Sequence, residues 1–252
     1  TGGEPLLRPD FVELYLFARR LGLRIMLFTN ARLITPELAD LFSRIPPRET
    51  IEVTTYGMKA DSYETVSRKH GSFAEFQRGI HLLIQYGIPF YIKGTMLPRT
   101  KSEYDDLIRW TDSLPGMKDL PSLVLFLELR HRRDSAVKNQ RIEKLRLTPV
   151  EGLAVLAKDP VSYKQDLLRL CRYVAGRPTD KIFTCNEGNQ LCIDSYGQIQ
   201  HCLALRHPDT VVDSKKQTMR YALTEFFPKL REMRSHNPEY LNRCGKCVLR
   251  GL

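Results

Sequence analysis

Phe73-Ala74-Glu75-Phe76-Gln77-Arg78-Gly79-Ile80-His81-Leu82-Leu83-Ile84-Gln85-Tyr86-Gly87-Ile88-Pro89-Phe90-Tyr91-Ile92 carries two periodicities in succession. Phe73, Phe76, Ile80 and Leu83 recur at spacings of three and four, which places them on one stripe of a helix. Gly87 ends that helix, and residues 88–92 resume as a short apolar strand. The same grammar occurs upstream. Phe11, Leu14, Ala18 and Leu21 form a stripe that Pro9 starts and Gly22 closes, and residues 24–29 read as a buried strand ended by Asn30. Between these units Thr35 caps a helix with Pro36 at its first position, and residues 50–55 make a strand ending at Tyr56-Gly57. A helix over about 102–113 then leads into the apolar run 123–127. Repeated units of this kind imply right-handed crossovers and a parallel sheet with helices outside it, either open or closed into a complete or partial barrel. Ligands belong at the C-terminal ends of such strands, which directs attention to the segments after Thr29, Thr55 and Lys93.

Composition excludes several classes. With 252 residues, 42% hydrophobic and 27% charged, the chain can bury a sizeable core, so a disordered or fibrous polypeptide is excluded. The longest strongly apolar run, residues 123–127, falls far short of the roughly 18 residues of a membrane-spanning helix. A net charge of +10 favours anionic partners without specifying one. Six cysteines are too few for a disulfide scaffold and no signal-peptide pattern is present, so a reducing, cytoplasmic setting is expected.

Past Arg130 the pattern changes. A charged connector and one or two helices run to about Arg172, which divides the chain into 1–130, 131–177 and 178–252. The last region has an expected hairpin over 191–200 with its turn at Tyr196-Gly197, and a helix carrying Met219, Ala222, Leu223, Phe226 and Phe227 that Pro228 bends or restarts. Cys185 is followed by eleven residues, Gly197, four residues and Cys202; Cys244 and Cys247 form a C-x2-C pair. Two sulfurs on one tight turn bind a metal with little chain entropy left to lose, and the hairpin can present the second pair. Zinc and iron-sulfur clusters are not separable on these ligands alone. Cys171 is expected to be buried on an amphipathic helix, and Cys192 is either core or a spare ligand. The six histidines form no spaced metal pair, His201 beside Cys202 included, and Trp110 is assigned to the core.

At the other end stands Thr1-Gly2-Gly3-Glu4-Pro5. Two glycines let a backbone approach a ligand closely, and the carboxylate can accept hydrogen bonds from an ammonium group; a plain loop entering a helix with an acidic first turn fits as well. Together with the cysteines, this segment resembles the radical S-adenosylmethionine (SAM) enzymes that carry a C-terminal SPASM-type cluster domain. Gly2, Gly3, Glu4 and Pro5 resemble that family's GGEP segment, which holds SAM's amino group. Phe28-Thr29-Asn30-Ala31 is similar to its TNG, with Ala31 replacing a glycine, so a left-handed turn there is more costly. Thr54-Thr55-Tyr56-Gly57 resembles the fourth-strand pattern. The resemblance therefore implies cofactor-binding roles for Gly2, Gly3, Glu4, Pro5, Thr29, Asn30, Thr55 and Lys93, with Lys93 pairing with SAM's carboxylate. A solvated strand end accounts for Lys93 equally well.

The SPASM pattern, C-x(9–15)-G-x4-C followed by C-x2-C-x5-C, is matched in order by Cys185, Gly197, Cys202, Cys244 and Cys247, with the next cysteine expected one residue beyond Leu252. The family's C-x3-C-x2-C triplet, which holds the catalytic 4Fe-4S cluster, does not occur in this sequence. The expectation is therefore an interior piece of a longer protein, inactive by itself, with a partial (β/α)6 barrel lacking its first β/α unit and a truncated SPASM-type region. For the whole protein the resemblance implies a reduced cluster that cleaves SAM to a 5′-deoxyadenosyl radical, and hydrogen abstraction from a peptide or protein. It also implies auxiliary 4Fe-4S clusters on Cys185, Cys202, Cys244 and Cys247, a reductant such as flavodoxin or ferredoxin, and no nucleic acid or membrane partner. Arg130, Arg132, Arg133, Lys138, Arg141, Lys144 and Arg146 could dock an acidic leader peptide or be simply solvated. Two other classes stay open: a zinc-stabilised basic nucleic-acid-binding module and a non-catalytic substrate-docking relative.

Overall fold

The computed structural model describes residues 3–115, 117, 121–125, 136–174, 180–182, 191–202, 205 and 207–247. It divides into two compact units, Thr1–Leu129 with Ser135–Val155, and Arg130–Asp134 with Leu156–Leu252.

The first unit is built on a four-stranded parallel sheet, β1 (Leu27–Thr29), β2 (Ile51–Thr55), β3 (Phe90–Thr95) and β4 (Ser122–Val124), in that spatial order. Helices α1 (Phe11–Arg20), α2 (Pro36–Arg44), α3 (Ala60–Ser67), α4 (Ser72–Gln85) and α5 (Tyr104–Asp112) alternate with the strands. This is the α/β architecture that the alternating periods predict. Thr35 caps α2 through Oγ1, which accepts from Leu38 N at 3.3 Å. Gly87 takes φ +63 after α4, the left-handed closure that a side chain would resist.

Register assigns each strand residue to a face. Leu27, Ile51, Val53, Phe90 and Ile92 share one face, and all are buried. Phe42 of α2, Phe76, Ile80 and Leu83 of α4 and Leu107 of α5 are also buried, as the helical layer over an aliphatic sheet face requires. At Gly94 the two layers nearly touch: a Cβ there would lie 2.4 Å from Leu107 Cδ2. Each such buried side chain stabilises by roughly 1.5–3 kcal/mol relative to exposure. The opposite face has a different character, since the same register puts Phe28, Glu52, Thr54, Tyr91 and Lys93 on it. Among the described strands β1 and β4 lie at the two edges, so the sheet they form is open.

Several expectations need correction. The stripe Phe11, Leu14, Ala18, Leu21 is not the buried face of α1, because Leu14 and Leu21 are exposed. Tyr15 is buried instead, its ring 5.3 Å from that of Phe42 and its hydroxyl donating to Ile45 O at 2.6 Å. An aromatic with a polar tip can reach a backbone carbonyl that a leucine cannot satisfy. Cys171 is exposed, because α8 (Pro160–Val174) has no buried residue among those whose side chains are described. Three helices, not one or two, occupy the described residues 136–174, the others being α6 (Ala136–Lys144) and α7 (Pro149–Leu156). Trp110 lies against Phe76, their rings 5.8 Å apart, as the core assignment anticipates. Residues 126–127 of the apolar run lie outside the described residues.

In the second unit, β5 (Cys192–Ile193), β6 (Gln198–Gln200) and β7 (Val211–Asp213) form an antiparallel sheet, the third strand being one that sequence reading missed. The hairpin turn falls where expected: Asp194 Oδ1 accepts from Tyr196 N and Gln198 N, and Gly197 takes φ +80. Ile199, Val212, Ala222, Phe227 and Leu230 make its core. The helix over 219–231 loosens into a π-turn at Ala222–Phe226 and resumes at Phe227, with Pro228 in the first turn where its missing N–H costs nothing.

Candidate active site at the strand ends

Glu4 ties the opening loop to the end of β1. Its Oε1 accepts from Leu6 N at 3.2 Å and from the Thr29 hydroxyl at 2.8 Å, while Oε2 accepts from Asn30 N at 2.8 Å. Pro5 starts a single 3-10 turn, Pro5–Leu7, for which Glu4 is the cap. Three donors leave the carboxylate one acceptor position of the about four it owns. Gly3 is exposed, and a Cβ built on it would meet nothing within 4 Å. Protein packing therefore does not require this glycine, and the space beside it is open to a ligand. Gly2 lies outside the described residues.

The β1 loop is held from behind. Thr29 Oγ1 also accepts from Ala31 N at 3.1 Å, and Asn30 Oδ1 accepts from Arg32 N at 3.1 Å. Ala31 sits fully buried at φ +60, the left-handed conformation where the family resemblance expects glycine. It holds there because α4 presses on it. A Cβ at Gly79 would lie 1.9 Å from Ala31 O and 2.8 Å from Ala31 C, so only glycine lets the helix approach this closely. Arg32 then reaches Glu75 of α4 through Nε at 2.9 Å and Nη2 at 2.7 Å, and Lys69 donates to the other Glu75 oxygen at 2.6 Å.

Hydrogen bonding from Lys69, then from Arg32, holds the Glu75 carboxyl below its ordinary value. A carboxyl depressed in the folded state stabilises above its unfolded pKa, and that contribution is lost as pH falls through the folded value. Glu75→Gln is therefore expected to lower the urea midpoint at pH 7, with the gap to wild type closing as pH drops below about 4, the range where a free glutamate protonates. Equal gaps at pH 7 and pH 3 would contradict the assignment.

Around β2, Thr55 lies on the helix-covered side, buried, with its hydroxyl donating to Gly57 O at 3.0 Å. Buried Glu103 accepts from Met58 N at 2.6 Å and Ser62 Oγ at 3.0 Å, fixing the loop after β2. Burial and the negative charge of Glu4 push the Tyr56 hydroxyl above its ordinary pKa. Lys93 Nζ donates to Glu52 Oε1 at 2.9 Å and stands 5.9 Å from the Phe28 ring centroid; the Tyr91 hydroxyl donates to Glu52 Oε2.

The structure thus brings Glu4, Pro5, Thr29 and Asn30 together, turns the Thr55 hydroxyl to the helix side, and gives Lys93 a counter-ion that sequence reading missed. The available signal was parity. Glu52 and Lys93 are charges within otherwise apolar strands, and both fall on the face opposite the aliphatic residues.

In the second unit Cys244 and Cys247 are exposed and Cys202 is half-buried. Cys244–Lys246 forms a 3-10 turn closed by Cys247 N donating to Cys244 O at 3.1 Å, the compact geometry a C-x2-C pair needs. Cys185 lies outside the described residues, and among those described no group of three or more His, Cys, Asp or Glu could hold a metal ion.

Residues 1–111 match the family model of the Radical SAM superfamily. Enzymes of that superfamily use SAM and a 4Fe-4S cluster. Curated relatives include the AdoMet-dependent heme synthase of Methanosarcina barkeri, 33% identical over 103 residues, or 41% of this chain and 29% of that protein. The protein of the same name from Oleidesulfovibrio alaskensis is 31% identical over 114 residues, 45% of this chain and 29% of that one. The matched segment thus spans less than a third of each relative's length. Among solved structures, a polyhistidine-tagged anSMEcpe with bound AdoMet aligns with TM-score 0.65 at 16% identity, covering 100% of this chain and 70% of that one. Native anSMEcpe with bound AdoMet and Cp18Cys peptide aligns with TM-score 0.58 at 16% identity, covering 100% and 73%. At that identity the likeness speaks for the fold.

Proposed function

We propose that this chain is the SAM-binding core and C-terminal region of a radical SAM enzyme that modifies a peptide or protein. The observation that carries this reading is the bridge from Glu4 to Thr29 and Asn30 at the strand ends, which leaves the carboxylate one acceptor position, next in sequence to an open glycine. SAM's ammonium group would be held by Glu4 and the Gly2-Gly3 backbone, with Asn30 lining the site and Lys93 facing the carboxylate. When bound, SAM and the family's 4Fe-4S cluster supply a 5′-deoxyadenosyl radical; the chain's own residues orient SAM and exclude water around it. The sheet is read as part of a (β/α)6 barrel, in keeping with the exposed Val12, Leu14 and Phe17 on α1 and Leu21 just after it, and with β1 at a sheet edge among the described strands. Cys185, Cys202, Cys244 and Cys247 are read as auxiliary-cluster ligands in a SPASM-type region, and a flavodoxin or ferredoxin as reductant.

A tetrapyrrole substrate is the second reading, favoured by the name of the curated relatives. The test is 5′-deoxyadenosine release by the anaerobically reconstituted full-length protein. Stimulation by a cysteine-containing peptide is expected; stimulation only by an iron tetrapyrrole would select the second reading. Cys244→Ser with Cys247→Ser is expected to remove one cluster, about four irons per chain. Unchanged iron with stoichiometric zinc would contradict the auxiliary-cluster assignment.

A further inference from the structure

The face of the sheet opposite the helices is not a packed core. Inward positions of a parallel barrel are ordinarily filled by branched aliphatic side chains. Here they are Phe28, Glu52, Thr54, Tyr91 and Lys93. The Glu52 side chain is 6% exposed and the Lys93 side chain 30% exposed, so a buried carboxylate stands behind a half-open ammonium. Both Glu52 oxygens are engaged, one by Lys93 and one by Tyr91. Lys93 uses one of its three donors on Glu52, and its exposure leaves room for an incoming acceptor.

We propose that Glu52, with Tyr91 behind it, is the positioning residue that fixes the Lys93 ammonium as the receptor for SAM's carboxylate. This rests on the reading of Lys93 given above and adds two residues to it. The physical reason is desolvation. A flexible ammonium on a face shielded by an aromatic ring is held in one place by a counter-ion, and a displaced ammonium has no hold on a carboxylate. β2 supplies Glu52 and β3 supplies Tyr91, while β1 presents the uncharged Phe28 beside Glu52 and β4 the uncharged Ser122 beside Lys93. Tyr91 keeps its proton at neutral pH, since burial and then the Glu52 hydrogen bond push it up to about 12. It therefore acts as a fixed donor that orients the carboxylate.

The experiment uses the reconstituted full-length protein and measures equilibrium binding of SAM and of decarboxylated SAM, which differ only in the carboxylate. Wild type is expected to prefer SAM by about tenfold or more, the worth of one charge-assisted contact of roughly 1.5–3 kcal/mol. Lys93→Met is expected to erase that preference. Glu52→Leu is expected to reduce it at least fivefold. Glu52→Gln, which keeps an acceptor for Lys93 and guards against misfolding, is expected to fall between. Tyr91→Phe is expected to reduce the preference two- to threefold with binding of decarboxylated SAM unchanged. If Lys93→Met erases the preference while both Glu52 variants keep it, Glu52 has no positioning role. If Lys93→Met leaves it intact, the Lys93 reading fails and this proposal with it. Absence of SAM binding by wild type would instead refute the proposed function.

Discussion

Gly79→Ala is expected to destabilise the first unit by about 2 kcal/mol and to weaken SAM binding by at least tenfold. Helix propensity alone gives the opposite sign, since replacing a mid-helix glycine by alanine ordinarily stabilises by about 1 kcal/mol. Gly79 lies inside α4, yet its added Cβ would stand 1.9 Å from the carbonyl oxygen of Ala31, a backbone atom that cannot rotate away. Overpacking of this kind typically costs about 1–3 kcal/mol or more. The helix or the loop must move, and the loop carries Thr29 and Asn30, which hold Glu4. Ala31→Gly is the contrasting variant. It relieves a left-handed alanine but removes a buried methyl, two effects of about 1 kcal/mol that nearly offset. Thermal denaturation with SAM titration checks both. A stabilised Gly79→Ala protein with normal SAM affinity would show that α4 does not set the loop.

Glu4→Gln carries the second large effect. The amide keeps one acceptor oxygen and turns the other position into a donor facing Asn30 N or the Thr29 hydroxyl, both of which now donate to the carboxylate. It also removes the negative charge that would meet an ammonium. A hydrogen bond to a charged group contributes about 1.5–3 kcal/mol, so SAM affinity is expected to fall about 10- to 150-fold. Glu4 is half-buried in an opening loop rather than in the core, so the unfolding midpoint is expected to move little. Isothermal titration with SAM, beside thermal denaturation, separates the two quantities. Undiminished affinity would remove Glu4 from the site.

The fold could be read in the sequence where period and terminator agree. The stripe through Phe73, Phe76, Ile80 and Leu83, closed by Gly87, gives α4 and then β3, and both stand in the structure with Gly87 left-handed. Agreement failed where two stripes compete on one helix. On α1 Leu14 and Leu21 have the better spacing, but Tyr15 has the better partners in Phe42 and Ile45 O. The site was readable as far as local motifs reach: Gly3, Glu4, Thr29 and Asn30 lie together because chain and strand end bring them there. Glu52 and Lys93 are 41 residues apart in sequence, and only the β2–β3 register pairs them. The Gly79–Ala31 approach is likewise invisible to any one-dimensional period, because it is a distance between backbones.

The most direct test of the central claim is an anaerobic crystal structure of the full-length protein with SAM. The account places SAM's amino nitrogen within about 3 Å of a Glu4 carboxylate oxygen, over the ends of β1 to β3. A SAM molecule bound with its amino group on any other surface, and Glu4 still holding only Thr29, Asn30 and Leu6, would contradict it.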